Sequence, residues 1–174
     1  MGYHVDRVKH TGEITMAIKT GDKVPSATLT VMTDDGPAPL TTPELFSGKK
    51  VLLFAVPGAF TPTCSARHLP GYIDLLEDIH AAGVDTVACV SVNDVYVMNA
   101  WGKSAGADGI VMLADGNADF ARALGLDVDA SPFGMGIRSH RFALVTEDGV
   151  VTRLFIEAPG AFEVSSAEHV LANL

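Results

Sequence analysis

Lys50-Val-Leu-Leu-Phe-Ala-Val56, followed at once by Pro57-Gly-Ala-Phe-Thr-Pro-Thr-Cys-Ser65, decides the fold. The first seven residues are an apolar run of strand length, and Pro57-Gly58 stops it with a turn signal. Thr61 is a good N-cap. Pro62 suits the first helical position, where its missing N–H costs nothing. A buried strand therefore hands over to a helix, with Cys64 at the third helical position. There a sulfur meets unpaired backbone N–H groups and the positive end of the helix dipole. Such a place favours the thiolate, the nucleophilic form of cysteine. A lone cysteine is otherwise often an inert core residue. The polar, proline-bounded setting points the other way.

Outward from this stretch, strands alternate with helices. Residues 27–32 alternate as a strand and end at an Asp34-Asp35-Gly36-Pro37 turn. Thr42-Pro43-Glu44-Leu45-Phe46 reads as a short capped helix. Residues 62–82 carry Leu69, Tyr72, Ile73, Leu76 and Ile79 at helical spacing, with a kink or break expected at Pro70. Residues 84–92 form a second core strand, and Asn93-Asp94 caps a helix running to about Lys103. Residues 110–113 form a third strand, and Asn117 caps a helix through Leu124. Residues 141–146 and 150–156 make a hairpin across Glu147-Asp148-Gly149. Ser165-Ser166-Ala167-Glu168 has the form of a capping box opening a last helix. The pattern predicts an α/β sandwich: a mixed central β-sheet, parallel where helices cross over, antiparallel at the hairpin, flanked by helices. Thioredoxin-like folds are built this way. A small flavodoxin-like domain is the runner-up, without a Gly-rich phosphate loop to support it.

The 174 residues suit one domain, read as residues 16–174. Residues 1–15 are polar, hold His4 and His10, and lack the apolar segment of a secretory signal. They read as an N-terminal arm, disordered or foreign to the domain, with Met16 a candidate first residue. The composition is 48% hydrophobic and 19% charged, with a formal net charge of −9. That balance argues against nucleic acid or an anionic membrane as partner. No run approaches the ~18 apolar residues of a membrane helix. Two cysteines, Cys64 and Cys89, make no disulfide framework and fit a reducing, cytoplasmic setting.

Pro57-x-x-x-Thr61-x-x-Cys64 resembles the active-site motif of peroxiredoxins. The fuller string from Pro57 to Gly71 is similar to their type II, or peroxiredoxin-five-like, branch. The likeness continues in Val90-Ser-Val-Asn-Asp94, Ala100-Trp-Gly-Lys103, Met112-Leu-Ala-Asp-Gly-Asn117, Arg138-Ser-His-Arg-Phe-Ala143 and Phe162-Glu-Val-Ser-Ser-Ala-Glu-His-Val-Leu171. It spans nearly the whole chain from Met16.

The resemblance implies a thiol peroxidase for hydrogen peroxide and alkyl hydroperoxides. Cys64 would be the peroxidatic cysteine, passing through a sulfenic acid. The Thr61 hydroxyl, the Arg138 guanidinium and the Cys64 amide would donate to the peroxide oxygens, with Pro57 shielding the site. Arg141, three residues on, competes with Arg138 for the role of a planar donor fork. No organic cofactor or metal is implied, and a homodimer is. Animal members of the branch carry a resolving cysteine where this chain has Ser165. An external thiol is therefore expected: glutathione with glutaredoxin, or else thioredoxin.

Several residues admit two readings. Cys89, mid-strand in an apolar run, is either a buried hydrophobe or a resolving thiol. His68, four residues after Cys64, packs or hydrogen-bonds locally, or else serves as a base or metal ligand. Trp101 and Phe133 line a pocket for the organic part of a peroxide, or belong to core or interface. Two other functions fit the same fold. A thiol–disulfide oxidoreductase is one, opposed by the lack of Cys-x-x-Cys. A redox sensor without peroxidase turnover is the other.

Overall fold

The computed structural model describes residues 17–174, so the arm read over residues 1–15 and the start at Met16 lie outside it. Its frame is a seven-stranded mixed sheet. Strands β1 (Thr28–Thr33) and β2 (Gly36–Thr41) form a hairpin at one edge, and helix α1 (Thr42–Phe46) follows directly. Strand β3 (Lys50–Ala55) lies in the middle of the sheet, parallel to β4 (Thr86–Ser91), which is parallel to β5 (Val111–Ala114). On its other side β3 pairs antiparallel with β8 (Phe142–Glu147), and β9 (Val150–Ile156) closes that edge. The order is β2-β1-β5-β4-β3-β8-β9.

Residues 51–56 of the opening stretch are all buried because helices cover both faces of the sheet. Leu52, Phe54 and Val56 point to one face. There they pack with residues of helices α2 (Leu69–Asp74), α3 (Leu76–Ala81), α4 (Val95–Ala105) and α6 (Ala167–Ala172). Val51, Leu53 and Ala55 point to the other, with Leu45 and Phe46 of α1 and Phe120 of helix α5 (Asp119–Ala123). This is the thioredoxin-like arrangement that the alternating elements predict, and it replaces the flavodoxin-like alternative.

Local readings shift in three places. Residues 36–41 were expected to open with a turn but form the edge strand β2, where Pro37 and Pro39 cost no central ladder bond. The helix after β5 is not capped by Asn117: the Asp115 carboxylate accepts from the Phe120 and Ala121 N–H groups. The last helix is capped by Ser166, whose Oγ accepts from His169 N, and Ser165 turns inward. The remaining short strands, β6 (Asp127–Asp129) and β7 (Ile137–Ser139), make a separate two-stranded sheet over the site. Among the described residues no helix is long and apolar enough to cross a membrane.

Candidate active site

The loop that leaves β3 is held by its own backbone. Val56 N donates to Val90 O of β4 at 3.1 Å, and Ala59 N donates to Asn93 Oδ1 at 3.0 Å. Phe60 then takes φ of 62°, in the left-handed region, at a cost of about 1 kcal/mol. Strain of this sort persists only where its surroundings fix it, as the Asn93 bond beside it does. Space at Gly58 is tight. A Cβ on it would lie 3.0 Å from Thr61 Cγ2 and 3.3 Å from Arg138 Nη1.

The helix begins at Pro62, as its sequence predicts, and Cys64 opens a wider π turn, Cys64–His68. Leu69 N reaches back to Cys64 O, one residue further than in an α-helix. The cause is Pro70, which has no N–H and whose ring crowds the carbonyl four residues earlier; the wide turn relieves both. The break expected at Pro70 is thus displaced to either side of it. The π turn precedes it, and Leu75, with φ −101° and ψ 8°, separates α2 from α3.

Cys64 is fully buried, and its sulfur has a cationic partner. Arg141 Nη2 donates to Cys64 Sγ at 3.2 Å, while Arg141 Nη1 donates to His68 Nδ1 at 2.8 Å. A guanidinium donor is the contact an anionic sulfur would receive most strongly. Arg138, taken from the sequence for this role, does not make the contact. Its Nη1 donates to Val92 O at 3.1 Å and its Nε to Met135 O at 2.8 Å, tying β7 to the end of β4. The reason is register. Phe142 pairs with Ala55, the last residue of β3, so Arg141 stands beside the start of the active loop. Arg138 instead pairs with Val128 in the small sheet.

Thr61 donates its hydroxyl proton to Gly58 O at 2.6 Å. The expectation that this hydroxyl acts as a donor is therefore corrected: it offers an incoming group its lone pairs. A cleft of about 350 Å³ lies over the site, lined among others by Pro57, Thr63, Phe133, Met135, Arg138 and Arg141. Phe133 is 83% exposed at its lip. Trp101 belongs to the core, its Nε1–H donating to Ser65 Oγ at 3.0 Å.

Cys89 faces Phe54 across β4 and β3 and is fully buried. Burial, and then the neighbouring Cys64, hold its thiol well above the usual range, with Arg141 opposing. That is the buried hydrophobe of its two readings. His68 is fully buried with both ring nitrogens engaged, Nδ1 by Arg141 and Nε2 by Ser165 O at 3.1 Å, so it has no free nitrogen for a metal or as a base. Burial, then the charge of Arg141, push it down to about 3. Among the described residues no group of three or more His, Cys, Asp or Glu is placed to hold a metal ion.

Sequence reasoning missed the layer behind these residues. Tyr72 Oη donates to the same Ser165 carbonyl at 2.7 Å. Glu157 accepts from the N–H groups of Glu163, Val164 and Ser165 and from Ser165 Oγ. Burial raises the Glu157 carboxyl, but these bonds outweigh it and hold the group below its ordinary value. Phe162 packs edge-on to His68 and lies under the Arg67 guanidinium at 4.6 Å.

Known proteins resemble this chain over most of its length. The Redoxin family profile matches residues 19–171. Peroxiredoxin-2E-2, chloroplastic, from Oryza sativa subsp. japonica is 51% identical over 92% of this chain and 74% of its own length. Peroxiredoxin-2B from Arabidopsis thaliana is 45% identical over 90% of this chain and 98% of its own. The crystal structure of reduced Prx3 in complex with hydrogen peroxide from Vibrio vulnificus superposes with a TM-score of 0.87. It is 55% identical, covering 90% of this chain and 98% of that one.

Proposed function

The chain belongs to the Redoxin family as a peroxiredoxin, an enzyme that reduces peroxides with a thiol, and from that premise we propose that Cys64 is its peroxidatic residue. The observation that carries this reading is the Arg141 Nη2 to Cys64 Sγ contact at 3.2 Å, at the floor of the loop built around Pro57, Gly58 and Thr61. The Cys64 thiolate attacks one oxygen of ROOH along the O–O axis. A sulfur–oxygen bond forms, the O–O bond breaks, and its electron pair leaves on RO⁻, which takes a proton as ROH. Cys64 is left as sulfenic acid. Negative charge moves from sulfur to the departing oxygen, so a fixed cationic fork beside both lowers the barrier. Arg141, bonded to the sulfur and lining the cleft, is the fork we assign to this role. Thr61, its proton given to Gly58, accepts the peroxide O–H and holds the nearer oxygen toward sulfur. Pro57 walls the cleft, whose volume of about 350 Å³ accommodates an alkyl hydroperoxide as well as hydrogen peroxide.

The reductant we propose is an external thiol. Cys89 is buried in mid-sheet, and the sequence offers no third cysteine. The sulfenic acid condenses with one reductant thiol, releasing water and forming a mixed disulfide. A second thiol then frees Cys64. Glutathione with glutaredoxin suits this two-step exchange, and thioredoxin is its competitor. Two cysteines in the sequence make no disulfide framework, which supports a reducing compartment, and the cytoplasm is the setting we propose. The exposed aromatic side chains of Phe60, Tyr96 and Phe133 support a homodimer. Coupled peroxidase assays with glutathione plus glutaredoxin, and with thioredoxin plus its reductase, test the reading. Peroxide consumption that needs Cys64 and is sustained by the first pair is expected. Insulin reduction with no peroxide turnover would reject it.

A further inference from the structure

The two hydrogen bonds of the buried His68 ring fix its orientation. A carbonyl only accepts, so the Nε2 facing Ser165 O carries the ring hydrogen. A guanidinium only donates, so the Nδ1 facing Arg141 is bare. Phe54 and Phe162 hold the ring from two further sides, with centroids at 5.0 and 4.9 Å. The Ser165 carbonyl is itself pinned. Tyr72 Oη donates to it, while its residue's N–H and Oγ both donate to Glu157 Oε2, at 3.1 and 2.7 Å. Among the described residues, the hydrogen bond to the Cys64 sulfur comes from Arg141 and not from any of these groups.

We propose that His68 is a positioning residue: it turns the Arg141 fork so that one Nη faces the Cys64 sulfur, and the Glu157–Ser165 cluster fixes the carbonyl that orients His68. An arginine has four rotatable bonds, and one bond to a polarisable sulfur leaves the plane of its fork free to turn. A second bond from the neighbouring Nη to a fixed acceptor removes that freedom before any peroxide arrives, which is how preorganised donors gain their effect. The groups facing the ring are Arg141 from the entrance to β8, Tyr72 from α2 and Glu157 from the end of β9. Burial and the Arg141 charge hold the ring uncharged, with its value pushed down to about 3, so Nδ1 stays an acceptor near neutral pH. The sulfur is thus tied through Arg141, His68 and Ser165 to a carboxylate more than ninety residues along the chain.

The inference rests on the reading of Cys64 as the peroxidatic thiol, and its test separates the two. In the full chain, His68→Leu removes the acceptor, while His68→Gln returns one acceptor and one donor on a short stem. Two rates are measured, oxidation by hydrogen peroxide and alkylation of Cys64 by iodoacetamide, beside a thermal melt. His68→Leu is expected to slow both rates by about ten- to a hundredfold, and His68→Gln to recover them to within about fivefold of wild type. Glu157→Gln, which keeps shape and removes charge, is expected to slow both by about three- to tenfold. It provides the same reading should His68→Leu fail to fold. A folded His68→Leu or Glu157→Gln protein with rates within twofold of wild type would overturn the proposal, as would a His68→Gln protein as slow as His68→Leu. A wild-type chain that consumes no peroxide, but whose Cys64 alkylation responds to His68 as described, would refute the peroxidatic reading and leave the positioning role standing.

Discussion

Arg141 Nη2 lies 3.2 Å from Cys64 Sγ although 77 positions separate the two residues. The strand pairing of β3 with β8 brings them together, so this contact is a property of the sheet and not of the local loop.

Arg141→Ala should lower the rate of peroxide reduction by about a hundred- to a thousandfold, the size of losing one preorganised donor to a developing anion. Arg141→Lys should recover little, because an ammonium lacks the planar fork whose two nitrogens meet sulfur and His68 separately. Arg138→Ala should cost less than about tenfold, since its bonds go to Val92 O and Met135 O. Stopped-flow oxidation of the three variants checks the ranking. A deeper loss in Arg138→Ala would restore the assignment that the sequence suggested.

Cys64→Ser should abolish peroxide consumption, and Cys89→Ser should leave most of it. The second change places a hydroxyl in the packed space beside Phe54, so a stability loss of about 1–2 kcal/mol is expected with turnover retained. Mass spectrometry after peroxide should find the oxygen on Cys64 alone. Modification of Cys89 in the folded protein would contradict its burial.

Thr61→Val should slow the reaction by about ten- to a hundredfold, and Thr61→Ser should keep most of the rate, because only the hydroxyl oxygen is asked to meet the peroxide. A deeper loss in Thr61→Ser than in Thr61→Val would mean that the methyl group, packed near Gly58, is what matters.

Stability should fall as the medium is acidified. His68 is held at about 3 in the fold against about 6.5 in an unfolded chain, so the unfolded chain binds the extra proton between those values. The contribution is present above about pH 6.5 and is lost as pH falls toward 3, on the order of a few kcal/mol. Glu157, also held low, adds to the loss at the acid end. Urea midpoints measured against pH in wild type and His68→Gln should converge toward acid pH as the ring's share disappears. Parallel curves would deny that share.

The sequence discloses what depends on near neighbours. The run to Val56, the Pro57-Gly58 stop and the Thr61-Pro62 start place Cys64 in the first helical turn, where it is found. It conceals what depends on register. Arg138 and Arg141 are equivalent in spacing, and only the pairing of Phe142 with Ala55 separates them. Ser165 and Ser166 both fit a helix cap, and the choice is made by Glu157, which draws Ser165 inward. Strand β2 was hidden by its two prolines, which an edge tolerates. Asp115 displaced Asn117 as a cap because a carboxylate two residues earlier reaches two N–H groups at once.

On the proposed cycle, the complete burial of the Cys64 sulfur sets its two halves apart in time. A thiol carried on a tripeptide or on another protein is too bulky to meet an enclosed atom, so repair must wait for the first helical coil to fray. That coil starts at a residue without an amide hydrogen and runs into an overwide ring of hydrogen bonding, so few regular helical bonds hold it closed. How long the oxidised form endures would then depend on mechanics, a latch with its own opening rate, as well as on the reductant waiting outside.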